Sequence, residues 1–173
     1  HAVGQESSWA GGGILSPLCP WDYSDEVTRF TSYSAKLFPD WCSLLHHATG
    51  IDPEYEVSGM LILPPHDQKT ALEWCSMREV RIRQCSIPTI ESSKMNLEGL
   101  LLPEVAQVRN PRLLRALRKR ILELGGKIIE HCAVTGMKRL EHHLQSIISS
   151  HGEFFADYIV ICAGAWSTTI LKN

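Results

Sequence analysis

The sequence is short of several features at once, and each shortage removes a class of protein. Its six cysteines (Cys19, Cys42, Cys75, Cys85, Cys132 and Cys162) are scattered, with no Cys-x-x-Cys pair. A disulfide scaffold and a zinc site both need closer spacing, so reduced, mostly buried thiols of a cytosolic protein are expected. The adjacent pairs His46-His47 and His142-His143 send their side chains apart on either a helix or a strand, and no metal ligation is expected. No apolar run reaches the roughly 18 residues of a membrane span. Neither sign of charge dominates: 17 Lys+Arg stand against 19 Asp+Glu, a formal net charge of -2. That balance argues against a dedicated nucleic-acid binder. Repeats and low-complexity linkers are missing too. So are a charged n-region and its apolar h-region at the start, and the absence of a Met before His1 reads as a sign of a piece of a longer chain.

What is present is ordinary globular usage, 44% hydrophobic and 21% charged residues over 173 positions. That length fits one domain, or two intertwined lobes, with a real core. Ser24 to Thr49 reads as a helix, capped by Ser24, with Asp25 and Glu26 in its first turn and Gly50 as its stop. Val27, Phe30, Leu37, Phe38, Trp41, Leu44 and Leu45 form its stripe, and Pro39 is expected to kink or split it. Tyr55–Leu63 reads as a strand ended by Pro64-Pro65, and Asp67 as the cap of a helix to Met77. Residues 78–97 are weakly periodic; Gly99–Pro103 and Val105–Val108 are short strands.

Asn110-Pro111 is the clearest helix start, a capping side chain followed by proline. Leu113, Leu114, Leu117, Ile121 and Leu124 make the expected buried stripe, and Gly125-Gly126 ends the helix. A strand over Lys127–His131 then completes a helix–Gly–strand unit. Leu144–Ile148 and Phe154–Ala156 flank a hairpin turn. The apolar run Tyr158–Cys162 has the pattern of a strand covered on both faces. It leads through Ala163-Gly164-Ala165-Trp166 into a short helix. The basic run Arg109, Arg112, Arg115, Arg118, Lys119 and Arg120 falls on the polar side of the Asn110 helix and reads as a solvated face.

Two segments carry chemistry. Ser7-Ser8-Trp9-Ala10-Gly11-Gly12-Gly13-Ile14-Leu15-Ser16-Pro17 places three glycines between hydroxyl residues and a short apolar strand. Such a run is either a flexible turn or a backbone cradle that something bulky approaches closely. Ala163-Gly164 at the end of an apolar strand either permits close packing or lies where open α/β sheets bind ligands.

Together with Leu102-Pro103, Val108–Leu113, Gly125–His131, Val134 and Ile159–Ser167, these segments give a chain that resembles the FAD-dependent D-amino-acid oxidase family. Within that family it is most similar to the glycine oxidases of thiamine biosynthesis. The resemblance implies a mixed α/β (α+β) fold, part of an FAD-binding Rossmann-like domain with an inserted antiparallel substrate-domain segment. It divides the chain into 1–50 (FAD domain), 51–105 (substrate lobe) and 106–173 (FAD domain, continued). By position, Ser7 and Ser8 match hydroxyl residues near the FAD phosphates, with a local turn or cap as the competing reading. Gly11, Gly12 and Gly13 match the segment beside the flavin. Val134 matches the position that meets the adenine, although core packing accounts for it equally. Ala163, Gly164 and Trp166 match the strand-end turn beside the cofactor.

The family's strand–G-x-G-x-x-G–helix and its ribose-binding acid have no counterpart here, nor do its substrate arginine and C-terminal flavin segment. An internal fragment is therefore expected, without a complete active site and with no catalytic residue to name. The implied reaction is oxidation of glycine or a similar small amino acid or amine by hydride transfer to flavin. Hydrolysis of the imine releases an oxo acid and ammonia, and dioxygen is reduced to hydrogen peroxide. A D-amino-acid dehydrogenase or a sarcosine-type oxidase shares the pattern. A truncated, non-catalytic interaction domain is the alternative of another class, and a G-x-G-x-x-G unit encoded upstream of His1 separates the two. A cytoplasmic setting and a possible homo-oligomer complete the expectations, because unpaired sheet edges invite association.

Overall fold

A computed structural model describes residues 2–87, 97–140 and 143–172 of the chain. The chain forms two compact units, Gly4–Lys127 and His1–Val3 with Ile128–Asn173. The mixed α/β class holds in both.

The larger unit begins with α1 (Ser7–Ala10) and a 3-10 turn at Pro20–Asp22. The long helix α2 (Asp25–Thr49) starts after Ser24 and stops at Gly50, which is left-handed (φ 69°) and donates its N–H to His46 O. Ser24 stands at the cap, but its hydroxyl bonds the Glu26 carboxylate and so holds that carboxyl below its usual range. Of the kink or split expected at Pro39, the split does not occur. Buried anchors lie on both sides of it, Thr28 toward the N-terminus and Cys42, Leu45 and Thr49 toward the C-terminus, so packing holds the helix across its missing hydrogen bond.

Tyr55–Leu63 is two strands rather than one: β1 (Glu56–Val57) and β2 (Met60–Ile62). Gly59 (φ 74°) turns the chain between them and donates to Val105 O. A single apolar run thereby serves two sheets. Helix α3 (Gln68–Met77) follows, with Asp67 accepting from Thr70 N at 3.0 Å and from the Thr70 hydroxyl at 2.8 Å. Strands β3 (Arg83–Ile87) and β4 (Leu97–Leu102) complete an antiparallel sheet of order β2-β4-β3, with Met60 opposite Leu102 and Ile62 opposite Leu100. Leu61 alternates outward. Met60, Ile62, Leu100 and Leu102 bury their side chains with Ala71 and Cys75 of α3 and Trp21 of the 3-10 turn, and this is the core. The Val105–Val108 strand is reduced to β5 (Ala106–Gln107), paired antiparallel with β1.

Helix α4 (Asn110–Glu123) lies against α2. Its stripe is less covered than its period implies. Ala116 is its one buried residue, while Ile121 is 42% and Leu124 68% exposed. Periodicity names the face that wants cover and says nothing about whether cover is present. The basic side is not wholly solvated either. Arg112 Nε donates to Asp52 O (2.6 Å), and Lys119 Nζ donates to Thr49 O (2.7 Å) at the negative end of the α2 dipole. Gly125 (φ 81°) ends the helix as expected. A Cβ on Gly126 would meet Ile121 Cγ2 at 2.7 Å, so both glycines are required, one for its dihedral and one for space.

The smaller unit is a meander of β6 (Val134–Leu140), β7 (His143–Ser149) and β8 (Gly152–Phe155), followed by a 3-10 turn (Gly164–Trp166) and α5 (Ser167–Lys172). Fully buried Ser146 on β7 and Lys138 on β6 both bond the Glu153 carboxylate on β8, which ties the three strands together. Arg139 Nη2 donates to Leu171 O (3.2 Å) and fixes α5 to β6. Two expected strands do not form. Lys127–His131 and Tyr158–Cys162 join no β-ladder among the described residues. Tyr158 is 90% and Val160 82% exposed, which overturns the doubly covered strand. An apolar run supplies side chains for a sheet, but a strand also needs a neighbour for its N–H and C=O groups.

Candidate functional site: a pinned glycine loop

The backbone of the first glycine run is shaped by distant chain. Val108 N donates to Gly13 O and Leu15 N to Ala106 O, both at 2.9 Å, with Ile14 bridging antiparallel to Gln107. Gly13–Leu15 therefore lies as an extra strand along β5. The fit is close: a Cβ on Gly13 (φ 77°) would stand 1.9 Å from Val108 O. Two residues earlier, Asn110 Nδ2 donates to Gly11 O at 2.9 Å, and a Cβ on Gly11 would meet that nitrogen at 2.8 Å. The expectation of Asn110 as a capping side chain is thus corrected. Arg109 holds the cap position, and the Asn110 amide is engaged with the glycine loop.

Gly12 differs from both neighbours. It is exposed, makes no hydrogen bond among the described residues, and has nothing within 4 Å of where a Cβ would stand. Two hollows share Gly11 and Gly12 in their walls. One of about 350 Å³ is apolar, floored by Ile14, Leu15, Phe38 and Leu113. The other, about 290 Å³, is more polar and is walled by Glu54, Glu56, Gln107 and Arg109. Glu54 is held there by Arg109 (3.4 Å) and Arg112 (3.1 Å). A free peptide flanked by an apolar and a polar hollow suits a flat, partly polar ligand that presses on backbone.

Ser7 and Ser8 sit on the single turn of α1, immediately before this loop. Both are exposed, and neither hydroxyl has a partner among the described residues. The Ser7 carbonyl accepts Gly11 N–H (3.1 Å) and so sets the loop's entry. The remaining expected residues belong to the smaller unit. Val134 opens β6 opposite Ser149 and is 44% exposed. Ala163 precedes Gly164 (φ 54°), which starts the 3-10 turn, and Trp166 is 66% exposed at its end. Within that unit the turn is local to residues 163–166, closed by Trp166 N donating to Ala163 O (3.1 Å).

The sequence reading missed Val108 and Asn110. Both pin the loop, and no local pattern announces a pairing that spans 99 residues. No cluster of three or more His, Cys, Asp or Glu that could hold a metal occurs among the described residues. No helix among them is long and apolar enough to cross a membrane. Of the six cysteines two are buried (Cys42, Cys75), three are intermediate and Cys162 is exposed, so the thiols are less covered than expected.

Comparison with known proteins identifies the family. The family described as FAD dependent oxidoreductase matches residues 1–173. A glycine oxidase of Pseudomonas putida is 35% identical over 99% of the chain, and one of Pseudomonas aeruginosa is 36% identical over 98%. The chain spans about half the length of these relatives, 48% of each. The crystal structure of a glycine oxidase from Bacillus cereus superposes with a TM-score of 0.82 at 21% identity, over 99% of this chain and 49% of that one, and so shares its fold. The chain accordingly belongs to the family of FAD-dependent oxidoreductases.

Proposed function

We propose that this chain is part of a flavoenzyme that oxidises glycine, or a similar small amino acid or amine, to the oxo acid, with ammonia and hydrogen peroxide as co-products. The observation that carries the proposal is the identity of 35–36% to two glycine oxidases over nearly the whole chain. The balance is amine plus water plus dioxygen giving oxo acid, ammonia and peroxide. When bound, FAD supplies the two-electron acceptor.

The residues fit that group on one local test. Gly12 leaves open backbone between an apolar and a polar hollow, the contact a ring with an apolar face and polar edge needs. Gly11, Gly12 and Gly13 then form the wall beside the ring, with Gly12 offering its unpaired N–H and C=O. Ser7 and Ser8 offer free hydroxyls for phosphate, Val134 its backbone for the adenine, and Ala163, Gly164 and Trp166 a turn against the dinucleotide. The assignment of 1–50 and 106–173 to the FAD domain and 51–105 to the substrate lobe is supported by the β2-β4-β3 sheet and α3, whose residues all fall within the middle segment. The scattered cysteines support a cytoplasmic setting. A role in thiamine biosynthesis and assembly as a homo-oligomer belong to the same proposal.

The test is the visible spectrum of the full-length natural protein before and after anaerobic glycine. Flavin bands that bleach with glycine are expected. Bands that bleach only with another amino acid change the substrate, and a colourless protein that cannot be reconstituted with FAD refutes the reading.

A further inference from the structure

Resting on that reading, we propose that Asn110 is a positioning residue for the flavin-facing peptide: its carboxamide lies beneath Gly11–Gly13 and holds Gly12 up to the cofactor. The carboxamide is bonded to one end of the loop and lies beside the other. Its Nδ2 donates to Gly11 O at 2.9 Å, and its Oδ1 lies 3.5 Å from where a Cβ on Gly13 would stand. Between those two points is Gly12, the one glycine of the three with no hydrogen bond among the described residues and open space on its Cβ side.

Three consecutive glycines are the most mobile backbone a sequence can supply. A peptide that must meet a rigid ring in one orientation needs its neighbours fixed by something stiffer. Gly13 is fixed by Val108 N–H. Gly11 is fixed on one side by Ser7 O, in a four-residue helix, and on the other by Asn110. Asn110 is itself stiff. It stands in the first turn of α4, before Pro111, where Arg109 O already accepts from Arg112 N (2.9 Å) and Leu113 N (3.0 Å). An asparagine at a helix start usually turns its side chain onto the helix's own N–H groups. This one reaches instead to a carbonyl 99 residues away.

Asn110→Asp tests the assignment in the full-length protein. Aspartate is at least as favourable as asparagine in a first helical turn, but its ionised carboxylate cannot donate to Gly11 O. The start of α4 is therefore kept, and the apoprotein is expected to fold normally and to melt only modestly below the wild-type temperature, by what one lost hydrogen bond to Gly11 O removes. FAD is expected to bind roughly three- to tenfold more weakly, the effect of one lost amide hydrogen bond, with displaced flavin absorption maxima and a changed flavin midpoint potential. Asn110→Ala should weaken binding similarly, which checks that the Asp effect is not only added charge.

Wild-type affinity, maxima and potential in Asn110→Asp would overturn the assignment. So would an apoprotein melting temperature that falls with the affinity while maxima and potential stay in place, since that is a structural role only. A wild-type protein that binds no FAD fails the functional reading and this inference with it. Normal wild-type binding beside an unaffected variant fails the inference alone.

Discussion

Replacing Gly13 by alanine isolates what the glycine loop requires of its backbone. The new Cβ would stand 1.9 Å from Val108 O, where contacts under 3.0 Å are not tolerated. Gly13 must then retreat from β5 by about 1 Å, which stretches Val108 N–H···O Gly13 and Leu15 N–H···O Ala106 from 2.9 Å beyond hydrogen-bond range. Two lost bonds at about 1 kcal/mol each, plus about 1 kcal/mol for an L-residue in the left-handed region (φ 77°), give about 3 kcal/mol of destabilisation. Two controls separate these contributions. Gly125→Ala has a left-handed dihedral (φ 81°) but nothing within 4 Å, so it should cost only about 1 kcal/mol. Gly12→Ala has open space and no left-handed dihedral, so it should leave stability unchanged or raise it by about 0.5 kcal/mol. Urea unfolding of the full-length apoprotein reads all three. A Gly13→Ala midpoint equal to wild type, or a Gly12→Ala loss as large as that of Gly13→Ala, would refute the reasoning.

Lys119→Ala removes a charged donor from Thr49 O at the C-terminus of α2 and is expected to lower stability by about 1 kcal/mol, measured by the same unfolding curve. Hydrogen bonds from Lys138 and Ser146 hold the Glu153 carboxyl below its usual range. A depressed folded-state value contributes stability above the unfolded value, near 4.5, and loses it as pH falls through the folded one. Unfolding between pH 6 and about pH 3 should therefore show an acid loss that Glu153→Gln reduces; an identical acid limb in the variant would count against this. Burial pushes the Cys42 and Cys75 thiols up, so both should resist an alkylating reagent at neutral pH until denaturant is added, as peptide mapping would show.

The local grammar of this chain was legible. Asp67 caps α3 because a carboxylate two or three residues ahead of free N–H groups has little else to do. Gly50 and Gly125 stop their helices because the left-handed region is closed to most other residues. Blocks of sequence from Ser7 to Ser167 carried the family resemblance, and the family match over the whole chain agrees. What could not be read was partnership. Asn110 looked like a cap, since no property of an Asn-Pro pair reveals a carbonyl 99 residues upstream. Pro39 looked able to kink or split its helix, and that it does not split it rests on buried anchors on either side, which are tertiary facts.

Amino-acid identity by itself thus determined where α2 and α3 begin and where α2 and α4 end, that positions 11–13 have no side chain to obstruct an approach, and that β2 turns Met60 and Ile62 to one face and Leu61 to the other. These follow from dihedral preference, capping and the two-residue pleat, all short-range effects. Only the tertiary structure decided that Gly13–Leu15 joins β5, that Asn110 takes Gly11 O, and that Lys127–His131 and Tyr158–Cys162 lie outside any ladder among the described residues. The physical reason is common to all three. A backbone hydrogen bond needs a partner brought into place by the rest of the chain, and no local sequence pattern encodes where that partner comes from.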